Sequence, residues 1–118
     1  MPYLIGKHPF IKLKVKLPKG NRWHEIECLI DTGFSGGLVL PLSFKEFFPD
    51  NEFIEAHYLL ANNSEVIVDT SIGLVEFSGI KKDVAVVFMG ESQGLVGVEF
   101  LDQMKFCLDL KKRIVELK

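Results

Sequence analysis

One stretch of the chain concentrates residue types suited to acid–base chemistry: Glu27-Cys28-Leu29-Ile30-Asp31-Thr32-Gly33-Phe34-Ser35-Gly36-Gly37-Leu38-Val39-Leu40-Pro41. A carboxylate, Asp31, follows directly on an apolar run and opens a small, glycine-rich loop that leads into a second apolar run. Held at a strand end among backbone N–H groups and partly desolvated, such a carboxylate can have its proton affinity tuned. Asp-Thr-Gly alone also describes an ordinary turn, since Asp and Gly are common turn residues. Two features set this copy apart, the apolar strand patterns on both sides and a second apolar-glycine stretch, Gly94-Leu95-Val96-Gly97-Val98-Glu99-Phe100-Leu101.

Other reactive side chains form no comparable constellation. His8, His24 and His57 are scattered without zinc-ligand spacing, so they read as surface or structural residues, and no metal or organic cofactor is expected. Cys28 and Cys107 make no C-x-x-C pair and lie inside strand patterns, which fits two reduced thiols in a cytoplasmic protein. Lys111-Lys112-Arg113 reads as a solvated turn.

The elements that must hold Asp31 follow from a mostly two-residue apolar period. Ile11, Leu13, Val15 and Leu17 alternate with Lys12, Lys14 and Lys16, and Ile26, Cys28 and Ile30 alternate with Glu25, Glu27 and Leu29. Pro18-Lys19-Gly20-Asn21 supplies the turn between them, so the first thirty residues predict a hairpin with lysines facing glutamates. Leu38–Pro41 reads as strand and 42–48 as a short helix broken by Pro49-Asp50-Asn51. Phe53–Leu60 and Glu65–Val68 predict a second hairpin around Ala61-Asn62-Asn63-Ser64. Gly73–Phe77 and Val84–Met89 predict two further strands across a loop at 78–83. Val98, Leu101 and Met104 fall at helical spacing, and Phe106–Leu110 with Ile114–Leu117 predict a last hairpin. The expected fold is mainly β, eight or nine short strands closed as a β-barrel with one short helix near the C-terminus.

Composition narrows the function classes. A chain of 118 residues fits one domain, 1–118, and its apolar content of 47% with a formal charge of −2 argues against a disordered tail or a polybasic nucleic-acid binder. The longest apolar run, Val84–Met89, is six residues against the ~20 needed for a membrane-spanning helix. The first ten residues lack the basic start and long apolar region of a secretory signal.

Together the Asp31 loop and the Gly94–Leu101 stretch resemble the retropepsin-like aspartic protease family, in which an Asp-Thr-Gly loop is followed, at a distance like the 66 residues from Asp31 to Gly97, by an apolar-apolar-Gly strand and a short helix. The resemblance spans Phe10 to Leu117 and implies the closed acid-protease β-barrel, with Leu95, Val96 and Gly97 packing below the site. It also implies a peptide-hydrolysing aspartic endopeptidase with Asp31 as catalytic residue and Thr32, Gly33 and Ser35 supporting its loop. The hairpin at about 57–69 falls where the family has its flap, placing Leu60, Ala61, Asn62 and Asn63 at the substrate together with Phe34. A shared proton needs two carboxylates, and the chain carries one Asp-Thr-Gly, because Asp69-Thr70-Ser71 lacks the glycine. The second must come from a symmetric homodimer, and the expected partner is an extended peptide or protein. The other reading of the same residues is a non-catalytic dimerisation or peptide-binding module of the same fold.

Three departures from the family pattern stand out. Phe34 occupies a position that is often small, Val98 and Ser35 replace the ion pair that viral members place near the loop, and Asn62-Asn63 lacks flap-tip glycines. These features are closer to cellular and microbial members than to viral ones.

Overall fold

The computed structural model describes residues 1–59 and 62–118. Leu60 and Ala61, expected at the hairpin tip, lie outside the described residues. The described chain is mainly β, with strands β1 (Tyr3–Ile5), β2 (His8–Leu17), β3 (Arg22–Ile30), β4 (Leu38–Leu40), β5 (Ile54–Leu59), β6 (Glu65–Phe77), β7 (Ile80–Phe88), β8 (Gly94–Val96), β9 (Phe106–Asp109) and β10 (Ile114–Leu117). One four-residue helix, α1 (Val98–Leu101), and two 3-10 turns at Leu42–Phe47 and Asp50–Glu52 complete it.

The period-two pattern of β2 is realised directly. Ile11, Leu13, Val15 and Leu17 are buried, while Lys12 and Lys14 stand exposed opposite Glu27 and Glu25 of antiparallel β3. Eight strands form one sheet in the order β1-β2-β3-β8-β4-β7-β6-β5, and β9 and β10 form a separate pair. The large sheet curls until β2 meets β6 again at Lys14↔Glu76 and Val15↔Val75, giving a partial ring. Its inward residues, among them Ile11, Val15, Leu38, Leu40, Phe48, Val75, Val86, Val96 and Phe100, make one continuous core. Phe88 joins it edge-on to both Phe48 and Phe53, at centroid distances of 5.1 and 5.7 Å.

Several boundaries differ from the sequence expectation. The chain has ten strands among the described residues, including β1, which turns back at Gly6 (φ +62°) to pair with the start of β2. The expected strands at 65–68 and 73–77 are one thirteen-residue strand, β6. It stays continuous through Gly73 because Val86 Cγ2 fills the space a side chain would take there, 2.6 Å from an added Cβ. The expected loop at 78–83 is a two-residue turn, Ser78-Gly79, with both residues at positive φ as a tight hairpin requires. Lys81, Lys82 and Asp83 belong to β7. Helix α1 ends at Leu101, so Met104 lies beyond it.

Candidate active site

Asp31 stands immediately beyond the end of β3, at a crossing made by β8. Strand β8 pairs in parallel with β3 (Leu29↔Leu95, Ile30↔Val96) and antiparallel with β4 (Leu38↔Val96, Val39↔Leu95). It therefore lies between the two strands that the 31–37 loop connects. The Asp31 amide donates to the Val96 carbonyl at 2.9 Å, extending the ladder by one bond into the loop. The carboxylate is fixed locally, Oδ1 accepting from the Gly33 amide at 2.9 Å, and the Asp31 carbonyl accepts from the Phe34 amide at 3.1 Å.

The rest of the loop is bonded to the start of α1. The amides of Gly97, Val98 and Glu99 donate to the carbonyls of Gly37, Phe34 and Gly36, at 2.9, 2.8 and 3.1 Å. This approach requires a bare backbone at Gly97, where an added Cβ would lie 2.4 Å from the Phe34 carbonyl oxygen and 2.5 Å from that of Gly36. At Gly94 the same test meets Cys28 Sγ at 2.8 Å, so β3 and β8 are matched in size beneath the loop. Burial pushes the Cys28 thiol up to about 12, with the charge of Glu27 adding to it.

Asp31 lines a cleft of about 310 Å³ together with Gly33, Phe34, Ser35, Val39, Tyr58, Leu59, Met89 and Leu95. One wall is the β5–β6 hairpin. Its strand alternation puts Ala56, Tyr58, Val66 and Val68 on a half-buried face and Glu55, His57, Leu59, Glu65, Ile67 and Asp69 on an exposed one. Tyr58 reaches the Phe34 ring at a centroid distance of 5.5 Å. Burial raises the Tyr58 phenol above its usual range, and the Glu99 carboxylate adds to the effect. On the exposed face His57 bonds Glu65 across the hairpin through Nδ1 and has Glu55 3.9 Å from Nε2, while Lys45 Nζ lies 2.8 Å from Asp69 Oδ2. A roomier depression of about 470 Å³ between Pro2–Leu4 and Arg113–Val115 is lined by no carboxylate, thiol or imidazole.

Of the residues singled out from sequence, Asp31, Gly33, Phe34, Ser35 and Leu95 meet in the cleft, with Val96 and Gly97 directly beneath. Thr32 is exposed and outside the cleft lining. Asn62 and Asn63 are exposed residues of the hairpin turn and also stand outside the lining. Asn62 Oδ1 accepts from the Ser64 amide at 3.0 Å, and Asn63 takes a left-handed φ of 67°. Sequence reasoning missed Val39, Tyr58, Leu59, Met89 and Glu99. The alternation of β5 could have put Tyr58 on the inner face, whereas Met89 and Glu99 carry no local signal. No helix among the described residues is long and apolar enough to cross a membrane. No group of three or more His, Cys, Asp or Glu able to hold a metal ion occurs among them. Compared with protein-family models and with curated proteins, the chain gives no match.

Proposed function

We propose that this chain is one half of a homodimeric aspartic endopeptidase of the retropepsin-like type, cellular or microbial rather than viral in its details. The observation that carries the reading is the position of Asp31 at the crossing of β3, β8 and β4, where it lines a mainly apolar cleft under a β-hairpin together with Ser35 and Tyr58. On this reading the partial ring is the acid-protease barrel, and the β2–β6 contact is its seam. An extended peptide lies along the cleft, its apolar side chains against Phe34, Tyr58 and Leu95 and its backbone bonded to flanking strand edges.

Two Asp31 carboxylates brought together at a two-fold axis cannot both ionise cheaply, so they hold one proton between them. The ionised one takes a proton from a water, whose oxygen bonds to the scissile carbonyl carbon as the protonated one gives its proton to the carbonyl oxygen. Collapse of the tetrahedral diol breaks the C–N bond: the protonated carboxyl gives its proton to the leaving nitrogen while the ionised one takes a proton from a diol hydroxyl, whose oxygen becomes the new carbonyl, so the dyad again holds one proton. The free thiols Cys28 and Cys107 suit a reducing, cytoplasmic setting.

The test is cleavage of an unfolded protein substrate by the purified chain across a dilution series, alongside Asp31→Asn. The expected result is specific activity that falls on dilution and a loss of about 10²–10⁴-fold in the variant, with folding and dimerisation retained. Equal cleavage by parent and variant would overturn the assignment of Asp31. Peptide binding by the dimer without any cleavage would make the chain a binding module of this fold.

A further inference from the structure

The amide of Ala85 in β7 points to a position that no strand fills. Strand β4 pairs with β7 from Leu38↔Val86 onward, so the residue opposite Ala85 is Gly37, which precedes the first residue of β4. In a parallel ladder the Ala85 amide would bond the carbonyl one residue earlier, that of Gly36, and this carbonyl already accepts from the Glu99 amide. Instead Glu99 Oε1, reaching back from α1, accepts from the Ala85 amide at 3.2 Å. Room for that carboxylate exists because Gly37 has no side chain. An added Cβ would lie 3.2 Å from Glu99 Oε1 and 2.8 Å from the Ala85 carbonyl oxygen. The backbone amide of Glu99 is bonded at the same time to Gly36. One residue thus joins three pieces, the downstream end of the Asp31 loop, helix α1 and β7.

We propose that Glu99 is a positioning residue for Asp31: its carboxylate substitutes for the missing strand partner of Ala85 and so fixes the Gly36–Gly37 end of the catalytic loop against β7. The role in catalysis rests on the endopeptidase reading above, whereas the bond itself does not. A carboxylate is a stronger acceptor than the neutral carbonyl it replaces, which suits a bond that must hold at a partly exposed edge. The negative charge of Glu99 also adds to the rise in the Tyr58 pKa on the hairpin.

The experiment compares Glu99→Gln, which keeps an oxygen acceptor of the same reach, with Glu99→Met, which keeps the length and removes the acceptor. Gly37→Ala, made separately, sets a methyl against the Ala85 carbonyl oxygen and the Val84 side chain as well as the carboxylate, and so disturbs the same junction from the strand side. Hydrogen exchange on the full-length chain should show the Ala85 amide and residues 33–37 exchanging roughly tenfold faster in the Met and Ala variants and near the parental rate in Gln. For peptide cleavage, kcat should fall in the Met variant with KM little changed and recover in Gln. Unchanged exchange at Ala85 in Glu99→Met would overturn the proposal, as would faster exchange there accompanied by parental kcat. A parent with no Asp31-dependent cleavage would instead remove the endopeptidase reading, leaving the exchange comparison to decide whether Glu99 holds the loop.

Discussion

The ring of Phe34 lies 5.5 Å from that of Tyr58 and is tilted 45° to it, so the residue following Asp-Thr-Gly touches the inner face of the β5–β6 hairpin. A small residue at position 34 would leave the hairpin without this contact. Phe34 thus forms an aromatic pair that joins the floor of the cleft to its wall.

Phe34→Ala should loosen the hairpin. An aromatic pair of this geometry contributes about 0.5–1.5 kcal/mol beyond its buried area, so exchange at residues 57–59 and 65–67 should quicken by up to roughly tenfold. Unchanged exchange would show that the hairpin is held by its own strand pairing. If the hairpin closes over substrate, a peptide analogue of the tetrahedral diol should slow exchange at the same residues in the parent chain.

Gly97→Ala should destabilise the whole domain. Its φ of −113° suits any residue, so the cost is steric: the new methyl would meet the Phe34 and Gly36 carbonyl oxygens, both backbone atoms that cannot swing aside. A loss of about 1–3 kcal/mol or more is expected from a urea unfolding midpoint, together with loss of any Asp31-dependent activity.

His57 gives the hairpin a pH dependence of definite sign. Its hydrogen bond to Glu65 raises its pKa above the ordinary value, desolvation opposes this, and the charges of Glu65 and Glu55 add to the rise. The stabilisation is thus fully present below about pH 6.5, the ordinary histidine value, and is lost as pH climbs through the raised one. The difference in melting temperature between the parent and His57→Gln should be widest in mild acid and close in alkali. The pair is exposed, so the difference should be small.

The two thiols should separate cleanly by reactivity. Cys107 is exposed, whereas Cys28 is buried in β3 with its pKa pushed up to about 12. Alkylation of the native protein at mildly alkaline pH should label Cys107 alone, and Cys28 should follow only on denaturation. Rapid labelling of Cys28 under native conditions would mean that the β3–β8 pairing opens readily.

Legibility in the sequence followed burial. Strands β2 and β3 are readable because one face of each meets the core and the other meets water. The pattern misled at Gly73, where a strand glycine makes room for Val86 and was read as a boundary. It misleads again at Lys81 and Lys82, which pair with Glu76 and Val75 of β6 despite their charge, their ammonium groups standing over the rings of Trp23 and Phe100. The Asp31 loop and its Gly97 support stood out because both need particular small residues at particular places. The far wall of the cleft did not, because Tyr58 and Met89 reach it only through the pairing of distant strands, and no local period encodes that pairing.

The insertion of β8 between β3 and β4 also sets an order of events during synthesis. The β2–β3 hairpin can pair as soon as it leaves the ribosome, and so can β5, β6 and β7 with one another. A nascent chain that ends before Gly94, however, exposes the inner edges of both β3 and β4, with nothing yet made to lie between them. Until Gly94–Val96 emerges, Asp31 stands beside an open sheet edge able to pair with any other extended chain. A chaperone that covers that edge during translation would act at the point where this protein is most exposed to aggregation.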